Sequence, residues 1–281
     1  MIINVNKPKG ITSRDVVNTL SHHFKTKKVG HTGTLDPIAT GVLIVCTEED
    51  TKLVELLTSE NKEYEVEMQL GIKTDTGDIT GEVIEENYID IDEEDLKVCI
   101  NNFIKTYLQE VPLYSAVKVN GKKLYEYARL NEKVELPKRE VTIYSNNFID
   151  KNENLVKFRV SVSKGTYIRS LINDICAELN TIGTMTNLKR ISQGEYRIED
   201  SNEIEDIEQN NFKTIKRSEV LKDFPYEKVT KENETLITNG SLITKTFDSK
   251  YLVYTDENDE IIAIYMEYPK DKTLAKPYKM F

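Results

Sequence analysis

Apolar and polar positions along the chain follow first a helical period, then the two-residue period of strands, and lapse in between. Ile2-Ile3-Asn4-Val5 predicts a short strand, closed by the turn Lys7-Pro8-Lys9-Gly10. Thr12-Ser13-Arg14-Asp15 has the spacing of a capping box. Val16, Val17, Leu20 and Phe24 share one face of the helix it opens. Val42 to Cys46 reads as an apolar strand, and Thr47 is expected to cap a second helix with Leu53, Val54, Leu56 and Leu57 inward. Tyr64 to Leu70 alternates as a half-buried strand does. From Asp92 a helix is predicted, with Leu96, Cys99, Ile100, Phe103 and Tyr107 at helical spacing.

The second half is richer in strands. Val141–Asp150 and Leu155–Ser163, joined by Lys151-Asn152-Glu153-Asn154, predict a hairpin. Lys164-Gly165-Thr166 leads into an amphipathic helix with Ile168, Leu171, Ile172, Ile175, Cys176 and Leu179 inward, and Thr184–Tyr196 returns as a strand. Residues 111–139 fit neither period. Beyond Asp223-Phe224-Pro225 short strands such as Tyr251–Tyr254 and Ile261–Tyr265 predict a small, separate all-β module. The expected fold is therefore α+β: a mixed, largely antiparallel sheet flanked by helices over residues 1–223, with 111–139 protruding, then a β module over 224–281.

Composition narrows the classes. The 281 residues are 38% hydrophobic, 31% charged and 8% aromatic, enough for a core and too aromatic for wholesale disorder. No apolar run approaches the roughly 18 residues of a membrane span. The first residues show no signal-peptide pattern, so a cytoplasmic protein is expected. Cys46, Cys99 and Cys176 are too far apart for a disulfide framework or a cysteine-based zinc site; buried free thiols are the simpler reading. A net charge of −10 argues against a simple polyanion binder.

Chemistry gathers in a few segments. Asp36 precedes Pro37 inside Gly30-His31-Thr32-Gly33-Thr34-Leu35-Asp36-Pro37-Ile38-Ala39-Thr40-Gly41, a loop able to present one carboxylate to a ligand; Asp-Pro is also an ordinary turn starter. No Gly-Lys-Ser/Thr follows at phosphate-loop spacing. The three histidines, His22, His23 and His31, form no metal-binding spacing with Cys or Asp. Tyr64 and Tyr167 suit either ring burial or a site. Arg169, in the first turn of its helix, goes against the dipole preference for cations at the C-terminus and suits a carboxylate partner. Lys118, Lys122, Lys123, Arg129, Lys133, Lys138 and Arg139 interleave with Tyr114, Tyr125 and Tyr127, as looped or single-stranded RNA requires; intervening glutamates leave a solvated face equally open.

Taken together, the Gly30–Gly41 loop, Asn6-Lys7-Pro8-Lys9-Gly10, Lys62-Glu63-Tyr64, Thr74-Asp75-Thr76-Gly77-Asp78, Tyr114–Lys118 with Leu124–Arg129, and Ser163–Arg169 resemble, in order, the motifs of the TruB family of tRNA pseudouridine synthases. The likeness spans about residues 1–200; from Phe224 the chain is only weakly similar to the family's PUA-type RNA-binding module. The resemblance implies isomerisation of uridine 55 in the T-loop of tRNA to pseudouridine, with no cofactor or metal; nothing in the sequence demands more than a monomer, and no membrane partner is expected. It implies that Asp36 acts on C1′ of a flipped-out nucleotide, that Arg169 holds Asp36 ionised, and that Asp78 steadies Arg169. Tyr167 and Leu188 pack on the base, and Tyr64 takes the C5 proton. His31 fills the vacated space in the RNA, and Lys118 and Arg129 belong to the RNA-gripping insertion. Attack by Asp36 on C1′ and a glycal route through C2′ are both open. The acidic runs Glu82–Asp95 and Glu199–Glu208 are expected to face solvent while Lys118–Arg139 and Lys157–Arg169 line the RNA side. A non-catalytic RNA-binding protein on the same scaffold, or a nucleoside hydrolase that releases uracil, are the alternatives.

Overall fold

The computed structural model describes residues 1–88 and 90–281. Its main sheet carries a seven-strand path running, edge to edge, Ile2–Lys7, Thr40–Thr47, Gly183–Gln193, Lys62–Leu70, Leu155–Val162, Lys138–Asn152 and Thr106–Glu110; Val29–His31 and Tyr196–Arg197 pair alongside. All pairings are antiparallel except one. Lys189 and Arg190 run parallel to Thr40 and Gly41. Gly41 is required there: its φ is +100°, and a Cβ would lie 2.2 Å from the Arg190 carbonyl oxygen. The sheet is thus mixed and largely antiparallel, as expected.

Alternation on the central strands sorts the two faces. Tyr64, Val66 and Met68 share one buried face with Val156, Phe158, Val160 and Val162, and the helices Glu93–Asn102 and Ile168–Glu178 pack on it through Leu96, Ile100, Leu171, Ile172 and Ile175. The helix Ser13–His23 starts with the predicted capping box: Thr12 accepts from the Asp15 amide, and Asp15 accepts from the Thr12 amide. Thr47 does not cap by its side chain. Its hydroxyl accepts from the N-terminal amine, and the chain then makes a 3₁₀ turn, Glu48–Leu53, before the short helix Val54–Thr58.

Two other expectations change. Tyr107 is not helical: the helix stops at Asn102 with Phe103 as its cap, and Tyr107 lies on the edge strand Thr106–Glu110. The two-residue strands Lys118–Val119 and Lys122–Lys123 and the helix Leu124–Arg129 organise the stretch that matched no period. The C-terminal part is a five-stranded sheet, Tyr226–Lys228, Tyr251–Thr255, Ile261–Tyr268, Asp271–Met280 and Ile243–Thr244, with a short helix, Glu234–Thr238. It is not separate in its packing. Tyr251, Val253, Ile261 and Ile264 share one core with Ile2, Val42, Ile44, Cys46 and Leu53. Cys46, Cys99 and Cys176 are free thiols, and burial pushes Cys46 and Cys176 up to about 12. Among the described residues, no helix is long and apolar enough to cross a membrane.

Candidate active site

The Asp36 loop is fixed from three sides before any ligand arrives. Ser13, fully buried at the start of its helix, accepts from the Leu35 amide at 2.8 Å. The Gly10 amide donates to the Pro37 carbonyl at 2.8 Å, and the Ala39 amide closes a turn onto the Asp36 carbonyl at 3.0 Å. Lys7, with no solvent exposure, donates to the Ala39 carbonyl at 2.7 Å and to the Pro8 carbonyl at 2.9 Å. Burial lowers this ammonium to about 8, against the pull of Asp36.

Opposite the loop, Arg169 projects from the first turn of the helix Ile168–Glu178 and is 5% exposed. Its Nη2 donates to Asp36 Oδ1 at 3.0 Å and to the Tyr114 carbonyl at 2.9 Å; its Nη1 donates to the Thr76 carbonyl at 2.8 Å. One guanidinium therefore ties together the carboxylate loop, the root of the basic insertion and the Thr74–Gly81 loop. Burial pushes the Asp36 carboxyl above its ordinary value, Arg169 opposes this, and the Asp78 charge adds to it. The Asp36 side chain keeps 30% exposure, directed into a cavity of about 720 Å³. That volume lies within the roughly 300–1,000 Å³ of ligand pockets.

Tyr64, Tyr167, Leu188, Lys118 and Arg169 line this cavity with Asp36. Tyr64 and Leu188 are buried, Tyr167 is half-buried, and Lys118 stands exposed at the mouth. Three residues lie elsewhere. Asp78 does not bond to Arg169: its Oδ1 accepts from the Thr80 amide at 3.0 Å and from the Thr76 and Thr80 hydroxyls. It shapes the loop whose Thr76 carbonyl Arg169 uses. His31 sits on the strand Val29–His31, outside the lining, with Nδ1 accepting from the Gly33 amide at 3.3 Å. Burial and the nearby Arg190 and Arg14 hold it below the usual imidazole value, so it is neutral at physiological pH. Arg129 is exposed beyond the cavity, its guanidinium 5.4 Å from the ring centre of Tyr125, which does line it.

The basic side is narrower than the charge pattern implies. Lys157 and Arg159 occupy the opposite sheet face from Tyr64 and lie against Glu67 at 3.3 Å and Glu63 at 3.6 Å. Strand alternation sends them there, because Val156, Phe158 and Val160 take the inward positions. The acidic residues of Glu82–Asp95 and most of Glu199–Glu208 do face solvent.

Two site residues have no role in the sequence reading. Arg190, 1% exposed, donates through Nε to the Tyr64 phenol oxygen at 3.2 Å and through Nη1 to the Val42 and Gly33 carbonyls at 3.0 and 3.3 Å. Lys62, buried in the cavity wall, donates to the Thr58 and Glu60 carbonyls; burial and Arg190 lower it to about 8. The only sequence signal for Arg190 is its place two residues after Leu188, on the same strand face. Among the described residues, no group of three His, Cys, Asp or Glu side chains gathers where a metal could be held.

The mixed sheet that carries this paired carboxylate has a fold shared with solved structures. A Cbf5-Nop10-Gar1 complex superposes with a TM-score of 0.73 at 23% identity, covering 99% of this chain and 85% of that one. An H/ACA RNP bound to a substrate RNA containing 2′-deoxyuridine gives 0.71 at 22%, covering 100% and 84%. The fold is that of the pseudouridine synthases, which are isomerases. Residues 21–168 match the family described as TruB family pseudouridylate synthase (N terminal domain). A Bacillus anthracis protein named tRNA pseudouridine synthase B is 39% identical over 99% of this chain and 96% of its own length. A Mesoplasma florum protein of the same name is 42% identical over 94% and 92%. The chain belongs to the TruB family of pseudouridylate synthases.

Proposed function

We propose that the protein converts uridine 55 in the T-loop of tRNA to pseudouridine, with Asp36 as the reacting carboxylate. The observation that carries this reading is the Asp36–Arg169 pair, with its free carboxylate edge directed into a cavity lined by Tyr64, Tyr167 and Leu188. Uracil leaves C1′ through N1, taking the bonding pair with it, and oxocarbenium character develops at the sugar, as in glycoside hydrolysis. A carboxylate beneath C1′ stabilises or captures that cation. Tyr167 and Leu188 hold the released base and exclude water, so it turns and C5 attacks C1′; where Asp36 has captured the cation, the Asp36–C1′ bond breaks as the C5–C1′ bond forms. The C5 proton is then lost from a non-aromatic adduct, and Tyr64, whose ring lines the cavity, takes it.

A base inside a folded loop must first be extruded, at a few kcal/mol. A neutral His31 beside the cavity suits insertion into the vacated stack. Residues 111–139, with Lys118, Arg129 and Arg139, form the RNA-gripping insertion, and residues 224–281 form the PUA-like module that extends the contact. The protein works as a monomer in the cytoplasm.

The test is mass-spectrometric mapping of pseudouridine in a T-stem-loop RNA incubated with wild type and with Asp36→Asn. Wild type modifies one uridine; the variant binds RNA within about tenfold of wild type and forms no product. Modification by the variant refutes the assignment of Asp36. Binding without modification by wild type favours a non-catalytic binder, and free uracil favours a hydrolase.

A further inference from the structure

The helix that carries Arg169 begins without a side-chain cap. Tyr167 occupies the capping position and makes no such bond. Helices that open in this way leave their first amides to other partners. Here the partner comes from a strand nearly sixty residues earlier. The Tyr167 amide donates to Oε1 of Gln109 at 2.8 Å. Gln109 is 2% exposed on the edge strand Thr106–Glu110, and its Nε2 donates to the Tyr107 phenol oxygen at 3.0 Å. The Tyr107 hydroxyl in turn donates to Asp174 Oδ2 at 2.6 Å. Asp174 lies two turns further along the same helix. The chain of bonds thus leaves the helix at its start and returns to it at the second turn. Ser170 adds a third tie, its hydroxyl donating to the Glu110 carbonyl at 2.8 Å.

We propose that Gln109 is a positioning residue for the isomerisation: it fixes the Tyr167–Arg169 turn against the edge strand and so sets where the Arg169 guanidinium meets Asp36. The inference rests on the assignment of Asp36 and Arg169 made above. Two features make Gln109 the member that matters. Both ends of its amide are used, one toward the helix start and one toward Tyr107, so it joins the Tyr167 amide to the Tyr107–Asp174 pair. The same strand continues directly into the insertion, whose Tyr114 carbonyl accepts from Arg169. Loss of Gln109 releases the Tyr167 amide while Ser170 and the apolar face still hold the helix. A misplacement of about 1 Å far from the reacting atoms can cost on the order of a hundredfold in rate.

The experiment uses the full chain with three substitutions, Gln109→Leu, Gln109→Glu and Tyr107→Phe, and follows single-turnover pseudouridine formation, tRNA binding and amide hydrogen exchange. Gln109→Leu keeps the volume and removes both bonds. Its rate constant is expected to fall about 10- to 100-fold, tRNA affinity to stay within threefold, and the Tyr167 amide to exchange at least tenfold faster. Gln109→Glu keeps the acceptor for that amide and recovers most of the rate. Tyr107→Phe keeps the Gln109–Tyr167 bond and stays within about fivefold of wild type.

A Gln109→Leu rate within threefold of wild type overturns the proposal. So does a parallel loss of rate and binding, a Gln109→Glu rate no better than Gln109→Leu, or Tyr107→Phe as damaging as Gln109→Leu. An inactive wild type would instead refute the reading of the site itself, and the two failures are thereby distinct.

Discussion

Replacing Arg169 by methionine removes the charge and all three hydrogen bonds while retaining most of the stem volume. A charge-assisted hydrogen bond contributes about 1.5–3 kcal/mol. Asp36 keeps 30% of its side-chain exposure, so solvent screening puts this pair at the low end, about 1.5–2 kcal/mol. At about 1.4 kcal/mol per decade this is roughly 10- to 30-fold in rate. Release of the Thr76 and Tyr114 carbonyls adds misplacement, on the order of a further tenfold. The single-turnover rate at saturating RNA is therefore expected to drop about 100- to 300-fold. The loss has a pH signature. Burial already raises the Asp36 carboxyl, and Arg169 is the strongest influence in the other direction. Without Arg169 the proton leaves at higher pH, so the acid limb of the rate profile moves upward and the deficit shrinks as pH rises. Arg169→Lys keeps the charge but not the fork; its acid limb stays near that of wild type while its rate falls. A deficit uniform across pH, or a methionine variant within threefold of wild type, refutes this account of the pair.

Tyr64→Phe leaves the ring in the cavity wall and removes the oxygen that Arg190 Nε meets; pseudouridine formation is expected to fall more than a hundredfold with RNA binding retained, measured by filter binding beside the rate assay. Gly41→Ala sets a Cβ 2.2 Å from a backbone oxygen at a φ of +100°, and denaturant melts are expected to show a loss above about 3 kcal/mol. Lys62 is held near 8 when folded and returns to its ordinary 10.5 when unfolded, so between those values the unfolded chain binds more protons. Wild-type stability relative to Lys62→Met is therefore expected to rise as pH increases from about 8 to 10.5, as followed by melts at each pH.

Local sequence carried much of the site because the motifs are contiguous. Asp36, Tyr167 and Arg169 each lie in a short segment whose residue types announce a turn or a helix start, and the structure brings those segments to one cavity. What escaped was set by side-chain direction or by distant pairing. Arg190 follows Lys189 on one strand, yet only one of the two points inward, and Arg190 is the one at 1% exposure. Lys157 and Arg159 look like an RNA face until the period of two is applied to their own strand, where Val156 and Phe158 claim the inner positions. Gln109 was hidden by its neighbour: Tyr107 fits the spacing of the preceding helix, and reading it as helical conceals the edge strand that both residues share. Asp78 lies near the pair without bonding to Arg169, a distinction between proximity and pairing that composition cannot draw.

The merged core of the two sheets has a consequence for how the molecule comes apart. Tyr251, Val253 and Ile264 sit against Val42 and Ile44, on the strand that follows the Asp36 loop, and against Ile2 on the strand paired with it. Cutting the chain near residue 224 would strip apolar cover from the back of those strands, so the remainder should be sticky and weakened rather than a tidy shortened enzyme. Heating the intact chain should give a single melting step, because neither sheet keeps a complete interior once its neighbour has left.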